Sequence, residues 1–174
     1  MRRKDREIKN KSEIMAILQK ADVCRLAMSH NDVPYIVVMI FGIGNTGDYL
    51  YFHCASDGKK IDILKVNNRV CFQADIEHEL FLHDVSCECS MRYRSILGTG
   101  RIVFVTDLME KKVALQTIMA HYAKGQSYEF REELIERTTI LRLDIEEISG
   151  KALVKPAHQT TLTHKDVPLT ARLL

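Results

Sequence analysis

Strand-like segments joined by short turns follow one another in the first third of the sequence. Residues 35–43 form an almost continuous apolar run rich in β-branched side chains, as expected for a strand buried on both faces. "GNTGD" then supplies a turn, and residues 49–55 alternate as the returning strand. Strands joined by connections this short pair in antiparallel fashion, so the pattern predicts hairpins.

The same signals place further strands and three helices along the chain. Strand-like patterns cover residues 23–29, 69–75, 85–97, 99–105 and 138–145, and helix-like patterns cover residues 12–21, 59–66 and 108–122. Ser12 and Asp107 are suitable N-caps for the first and the last helix. Six or seven antiparallel strands with a few helices predict a mainly β (α+β) fold, closed as a small barrel or packed as a sandwich.

Length and charge restrict the class of protein. The chain has 174 residues, which fits one domain with its own core. The net charge of +2 gives no electrostatic reason to expect nucleic acid as a partner. No apolar run reaches the roughly 18–20 residues that cross a bilayer, and the basic N-terminus lacks the apolar stretch of a signal peptide. We therefore expect a cytoplasmic protein that binds neither nucleic acid nor membrane.

An odd number of cysteines without an export signal predicts free thiols. The five are Cys24, Cys54, Cys71, Cys87 and Cys89. The first three lie in apolar runs and are expected in the core. On a strand, Cys87 and Cys89 would share one face, and His78 and His83 are near enough in sequence to complete a metal site. The spacing matches none of the usual zinc patterns, so two half-buried thiols are the simpler interpretation and no metal site is predicted.

The stretch "YFHCASDGKKIDILKVN" joins a strand to a helix. Ser56 or Asp57 can cap this helix, whose first N–H groups carry the positive end of the helix dipole and favour an anion. Lys59 and Lys60 stand in its first turn, where cations are disfavoured unless an anion offsets them. The alternative is that both lysines point into water. "SDGKK" is not a P-loop, and the sequence contains no GxGxxG fingerprint.

One histidine, His53, ends the strand on the face that it shares with two tyrosines. It is either a half-buried structural histidine or a reactive group beside the anion site. A nucleophilic pair with Cys89 is the other open alternative. The sequence contains neither a nucleophilic serine motif nor HExxH, so nothing else in it identifies a hydrolase.

The order of these segments resembles a known family. "CRLAMS", "VPYIVVMIFGI", "LYFHCASDGKKIDILKVNNRVCF", "CSMRYRSILGTGRI" and "DLMEKKVALQTIMAHY" follow one another as in the pyridoxamine 5′-phosphate oxidase-like flavoproteins. Within that family the sequence looks most like the nitroimidazole-resistance (Nim-type) branch. The resemblance covers about residues 5–150 and implies the FMN-binding split barrel, so residues 1–150 are expected to form this domain. Residues 151–174, which hold two of the three prolines, are expected to be a tail that is either flexible or in contact with a partner subunit.

The resemblance also implies a cofactor site for FMN between the two chains of a homodimer. The cofactor-binding residues that it implies are Ile36, Val37, Val38, Met39, Cys54, Ala55, Ser56, Lys59, Lys60, Tyr93, Arg94 and Ser95. Lys59 and Lys60 would bind the phosphate, residues 36–39 would follow the edge of the isoalloxazine ring, and residues 93–95 would close the site across the interface. His53 would be the catalytic residue, beside the flavin and near a small-molecule substrate.

Two departures from the family pattern refine the functional hypothesis. Val38 stands where many relatives have proline, and the C-terminal segment has no convincing match to the residues that grip pyridoxamine phosphate. The implied function is an FMN-dependent oxidoreductase that reduces small molecules such as 5-nitroimidazoles. The alternatives are a flavin- or haem-binding carrier or sensor, with His53, His78 or His83 as haem ligands, and a thiol-based sensor that uses Cys87 and Cys89.

Overall fold

The structure is a computed structural model that describes residues 3–123, 125–126 and 128–154. The strands in this part of the chain are β1 (Glu7–Ile8), β2 (Cys24–His30), β3 (Val33–Met39), β4 (Gly42–Ile43), β5 (Tyr49–Cys54), β6 (Arg69–Phe81), β7 (Ser90–Val105) and β8 (Thr139–Leu153). The helices are α1 (Lys11–Lys20), α2 (Lys59–Val66), α3 (Leu108–Tyr122) and α4 (Glu132–Arg137). None of the described helices has the length and apolarity needed to span a membrane.

All strand pairs of the single sheet are antiparallel, as the short turns predict. The strand order is β3-β2-β6-β7-β8-β5-β4, and β1 pairs with β8 outside this path. The described residues therefore form eight strands, of which β1 and β4 have only two residues each. Sequence patterns miss strands this short, which is why six or seven were expected.

One hydrophobic core joins strands from both ends of this order. Leu26 of β2 and Phe52 of β5 are completely buried in the same cluster, although three strands lie between them. A flat sheet would hold these two strands about 19 Å apart, at about 4.8 Å per strand. The sheet must therefore curl around its core, and α1 and α2 complete it with Ile17, Leu18 and Leu64.

A smaller core lies between β5 and α3. Tyr51 packs there with Ala114 and Ile118 of α3, so β5 is buried on both faces over its middle residues. The helix passes very close to β4, because a Cβ atom at Gly42 would lie 2.6 Å from the backbone nitrogen of Ile118. Only glycine allows this approach.

The expectation that residues 35–43 are buried on both faces is wrong. Among the described strands β3 pairs only with β2, and it forms the end of the sheet. Ile36 and Val38 are 60% and 63% exposed, whereas Tyr35 and Val37 on the opposite face pack against the core. A continuous apolar run does not show whether both faces of a strand are covered by its own chain or one face is exposed.

The two strands expected at 85–97 and 99–105 are one strand, β7. Glycine does not bend the chain here but permits close contacts. A Cβ atom at Gly98 would lie 2.4 Å from the Phe72 ring, and one at Gly100 would lie 2.2 Å from the Asp144 carbonyl oxygen. The pairing register of β7 with β8 shifts between Thr99 and Gly100, which confirms the expected irregularity but not the break.

The helix caps agree with the sequence in one case and differ in another. Asp107 caps α3 as predicted, since its Oδ1 accepts a 2.7 Å hydrogen bond from the Glu110 N–H. The prediction of Ser12 as the cap of α1 is wrong, because Asn10 takes this position and accepts from the Ser12 N–H at 2.9 Å.

Helix α4 was not predicted. Strand β8 extends to Leu153, beyond the expected end at residue 145. The expected contact of the tail with a partner falls on residues 155–174, outside the described residues.

Candidate functional site

Three elements meet where β5 ends. The link of residues 55–58 leads from β5 into α2, and the two lysines in the first turn of α2 reach back to β3. The structure therefore brings together His53, Cys54, Lys59 and Lys60 with the β3 segment. We refer to this region, residues 35–39 and 53–60, as the candidate site.

The link turns sharply at Gly58, the N-cap of α2. Its φ of 106° and ψ of 167° lie in a region that L side chains rarely adopt. No side chain of the described residues caps this helix, so the predicted cap by Ser56 or Asp57 is wrong, and both residues are exposed. Without a side-chain cap, the first N–H groups of α2 remain available to an external anion.

Lys59 points along the outer side of the site. Its Nζ lies 4.7 Å from the centre of the Tyr35 ring, a distance typical of a cation–π contact. Lys59 is the first helical residue and is exposed, so its charge is free to meet a solvated anion at the helix start.

Lys60 points to the inner side. Its Nζ lies 3.7 Å from the Met39 Sδ, at the end of β3. Its side chain is half-buried, and its charge acts on the two residues that end β5, His53 and Cys54. The two neighbouring lysines therefore occupy different surroundings.

The environment keeps the groups at the end of β5 neutral. Burial lowers the pKa of His53 below 6.5, and the positive charge of Lys60 lowers it further. Burial also raises the pKa of the Cys54 thiol above 9.0, although Lys60 partly offsets that effect. At neutral pH His53 is a neutral imidazole, which can donate from one ring nitrogen and accept at the other.

The face of β3 opposite Tyr35 and Val37 is apolar and exposed. Ile36 and Val38 point from this face, and Ile40, directly after β3, is also exposed at the end of the sheet. Exposed branched side chains on an edge strand need a cover. A flat apolar group or a second subunit would supply one.

The predicted segment 93–95 lies elsewhere in the chain. Arg94 forms ion pairs with Glu13 at 2.9 Å and with Glu77 at 3.3 Å, and the Ser95 hydroxyl donates to the Lys151 carbonyl oxygen at 3.4 Å. Tyr93 is half-buried below the Lys151 ammonium group.

The strand register shows how far segment 93–95 lies from His53 along β7. His53 pairs with Ile140, which pairs with Val105, ten residues beyond Ser95 on β7. Ten strand residues span about 33 Å. Segment 93–95 is therefore far from the level of His53 along β7, although the register through β2 and β6 places Leu97, two residues beyond Ser95, at the level of Val38.

The structure adds one residue that the sequence analysis missed. Tyr35 was included only as the start of an apolar run, but it holds the Lys59 side chain. The sequence shows an aromatic residue in one strand and a lysine pair after a later strand. Only the fold shows that Tyr35 and Lys59 are in contact. Of the other predicted residues, Val37 packs on the core, and Ala55 and Ser56 are exposed in the link.

The cysteine pair does not form the expected geometry. Residues Ser86–Glu88 form a single 3₁₀ turn, so Cys87 and Cys89 do not lie on a strand and the prediction of a shared face is wrong. Cys89 instead contacts the backbone of His83, while Cys87 is exposed. Within the described ranges, no group of three or more His, Cys, Asp and Glu side chains is arranged to hold a metal ion.

Comparison with known proteins decides the family. A family model described as pyridoxamine 5′-phosphate oxidase matches residues 10–152. The chain belongs to this family. The match includes α1 to β8, except for the last residue of β8, and the whole candidate site. No curated protein matches the chain by sequence.

Solved structures of the family share the fold. A structure named as a candidate 5-nitroimidazole antibiotic resistance protein from Bacteroides thetaiotaomicron is 32% identical, with a TM-score of 0.75, over 84% of this chain and 86% of that chain. The flavocytochrome Anf3 from Azotobacter vinelandii is 21% identical, with a TM-score of 0.78, over 95% of this chain and 76% of the other.

A third structure, an FAD and haem binding protein from Mycobacterium smegmatis, is 18% identical, with a TM-score of 0.74, over 86% and 74% of the two chains. Together with the curled antiparallel sheet, these likenesses confirm the predicted split barrel of the family, a flavin-binding fold. They also confirm the resemblance stated from the sequence.

Proposed function

We propose that this chain is an FMN-dependent oxidoreductase that acts on small molecules. The observation that carries the proposal is the uncapped start of α2 with two lysines that both reach β3. A dianionic phosphate offsets two positive charges and accepts hydrogen bonds from free helix N–H groups. The exposed apolar edge of β3 offers a wall against which a flat ring can lie.

The residues present fit a flavin. An added Cβ at Gly58 would meet nothing within 4 Å, so the helix start is open to a ligand. Lys59 and Lys60 supply charge, and residues 36–39 supply backbone groups and apolar contacts along the free edge. A bound flavin would supply the redox chemistry itself, which is consistent with the absence of a triad or carboxylate pair among the residues of the candidate site.

His53 is the proposed substrate-side residue. Its neutral imidazole lies at the mouth of the site, where it can orient a polar substrate or relay a proton to it. The 32% identity with the nitroimidazole-resistance relative supports nitroaromatic compounds such as 5-nitroimidazoles as the substrate class. The role in substrate binding and the substrate class are separate proposals.

A homodimer completes the proposed site. Segment 93–95 lies far from His53 in the same chain, and the apolar edge of β3 needs a cover. In a two-fold dimer, Tyr93, Arg94 and Ser95 of one subunit can approach the flavin held by the other. This arrangement agrees with the role that the sequence resemblance implies for these residues.

The cofactor proposal is tested by spectroscopy of the purified protein. Denaturation should release a yellow chromophore that chromatography identifies as FMN, or the colourless protein should bind added FMN. Absence of FMN binding in both experiments contradicts the proposal. A Soret band without flavin absorption would favour the haem-binding alternative instead.

A paired variant tests the phosphate site. Lys59→Ala with Lys60→Ala should weaken FMN binding by about a hundredfold or more, since each of the two lost charge-assisted contacts is worth about 1.5–3 kcal/mol. The control is Lys65→Ala with Lys112→Ala, which removes the same charge from two exposed positions on α2 and α3. Equal FMN affinity of the two double variants would refute the phosphate assignment.

A further inference from the structure

Two thiols lie close together in the loop that joins β6 to β7. The loop contains a short 3₁₀ turn, Ser86–Glu88, with Cys87 inside the turn and Cys89 directly after it. Both cysteines are free thiols, of which Cys87 is exposed and Cys89 is half-buried. The loop lies outside the candidate site, so the proposed flavin chemistry gives these thiols no role.

The Cys89 side chain fastens one end of this loop to the other. Its sulfur accepts a hydrogen bond from the His83 N–H at 3.3 Å, and its S–H group donates to the His83 carbonyl oxygen at 3.5 Å. The turn adds backbone hydrogen bonds of 2.9 Å to the Val85 carbonyl oxygen and 3.2 Å to the Ser86 carbonyl oxygen. A disulfide has no S–H group, so oxidation of Cys89 removes its donation to His83.

The separation of the two cysteines suits a disulfide, but their directions in the turn do not. Residues two apart in a helical turn have Cα atoms about 5.5 Å apart, inside the range of about 4.4–6.8 Å found for disulfides. Their side chains, however, point about 240° apart in a 3₁₀ turn. In an extended backbone, residues two apart share one face, with Cα atoms about 6.6 Å apart. A disulfide between Cys87 and Cys89 therefore requires the turn to open into an extended segment.

The other three cysteines are poor competitors for oxidation. Burial raises the pKa of Cys24 to about 12, and it also raises the pKa of Cys54 and that of Cys71. The thiolate is the form that attacks a disulfide, and it must be accessible to do so. The exposed Cys87 should therefore meet an external disulfide before the more buried thiols do.

We propose that Cys87 and Cys89 form a redox-sensitive site whose oxidant is a low-molecular-weight disulfide. The Cys87 thiolate attacks one sulfur of that disulfide, whose S–S bond breaks and releases one small thiolate. The Cys89 thiolate then attacks the Cys87 sulfur and displaces the second small thiolate, which leaves a disulfide within the loop. The two protons given up by the protein thiols go to the two released thiolates. Two protein thiols are oxidised, one external disulfide is reduced, and Cys89 loses its contact with His83.

Peptide mapping of the full-length protein tests the disulfide. The wild type is incubated with oxidised glutathione, the remaining thiols are blocked with iodoacetamide, and a glutamate-specific protease cleaves the chain after Glu88. This cleavage separates the two cysteines unless a disulfide joins their peptides, and the linked pair is the expected product. Cys89→Ser should instead accumulate a glutathione adduct on Cys87. The control Cys71→Ser should form the linked pair as the wild type does.

Three results of this experiment would overturn the proposal. The two cysteines of the wild type could both remain thiols, or both keep glutathione, after complete reaction. A linked pair could also come from two different chains, which the intact mass of the oxidised protein reveals. Each of these results means that the loop does not close its own disulfide.

Hydrogen–deuterium exchange tests the opening of the turn. The turn protects the Glu88 and Cys89 amides in the reduced protein, and oxidation should remove this protection. Cys87→Ser, treated with oxidised glutathione in the same way, should keep it. Unchanged protection in the oxidised wild type would contradict the opening. Neither experiment involves a flavin, so failure of FMN binding and failure of this proposal are observed separately.

Discussion

The hydroxyl group of Tyr51 donates a 3.1 Å hydrogen bond to Oε1 of Glu110, which also accepts from Arg142 at 2.7 Å. Tyr51 is buried between β5 and α3, and Arg142 is held a second time by Asp144 at 2.8 Å. Burial and the neighbouring Glu110 carboxylate raise the pKa of Tyr51, so this hydroxyl group is a donor at any ordinary pH. The network fixes the first turn of α3 against the sheet.

Removal of either the Tyr51 hydroxyl group or the Glu110 carboxylate should lower the free energy of unfolding. Tyr51→Phe should lower the free energy of unfolding by about 1 kcal/mol, because Glu110 keeps its contact with Arg142. Glu110→Ala should cost about 2–3 kcal/mol, because it also leaves the buried Tyr51 hydroxyl group without an acceptor. Urea unfolding measures both values. Met109→Ala, at a neighbouring exposed position of α3, is the control and should have little effect.

Gly58 should resist substitution although it has space around it. An added Cβ would contact nothing within 4 Å, but the φ of 106° is strained for any L residue. Gly58→Ala should therefore cost about 1–3 kcal/mol of stability, measured by thermal or urea unfolding. Ser56→Ala, in the same exposed link, is the control. A fully stable Gly58→Ala variant would show that the link adopts another backbone conformation.

The stability of the protein should depend on His53 below neutral pH. Because the folded-state pKa lies below 6.5, the unfolded chain binds a proton more readily as the pH falls. The stability that neutral His53 contributes is thus fully present above about pH 6.5, the unfolded-state pKa, and is lost as the pH falls towards the folded-state pKa. Between pH 7.5 and 5.5, the urea midpoint should fall less for His53→Gln than for the wild type. An equal fall in both proteins would contradict the assignment.

The cysteines should react with a thiol reagent in an order set by burial. Cys87 is exposed and should be alkylated first by iodoacetamide at pH 7.5. Burial raises the pKa of Cys71, and it raises that of Cys24 to about 12, so Cys24 should react only after unfolding. Mass spectrometry of peptides after timed labelling measures the order. Early labelling of Cys24 would show that the β2 region opens in the native state.

Local sequence signals predicted the parts of the fold that local interactions determine. Helix α2 has the predicted bounds, and Asp107 caps α3, because capping and periodicity act over a few residues. The long strands β7 and β8 were predicted too short or in pieces. Their extent depends on partners far apart in sequence, such as the close packing of Gly98 on Phe72.

The candidate site was predicted from the sequence only as a set of residue types. The position of the lysines at a helix start follows from the local pattern, but their different directions do not. The contact between Lys59 and Tyr35 joins α2 to β3, which β4 and β5 separate along the chain, and it exists only in the folded chain. The exposure of Ile36 and Val38 likewise depends on which strand lies at the end of the sheet.

The position of β3 at the end of the sheet also determines how fast its amide hydrogens exchange with deuterium. In an antiparallel pair, only alternate residues of an edge strand donate to the neighbouring strand, and the N–H groups between them face away. Every second amide of β3 should exchange quickly while those bonded to β2 are protected. A cofactor or subunit that covers this edge would slow the fast set alone, so the exchange pattern of one seven-residue strand reports whether its edge is covered.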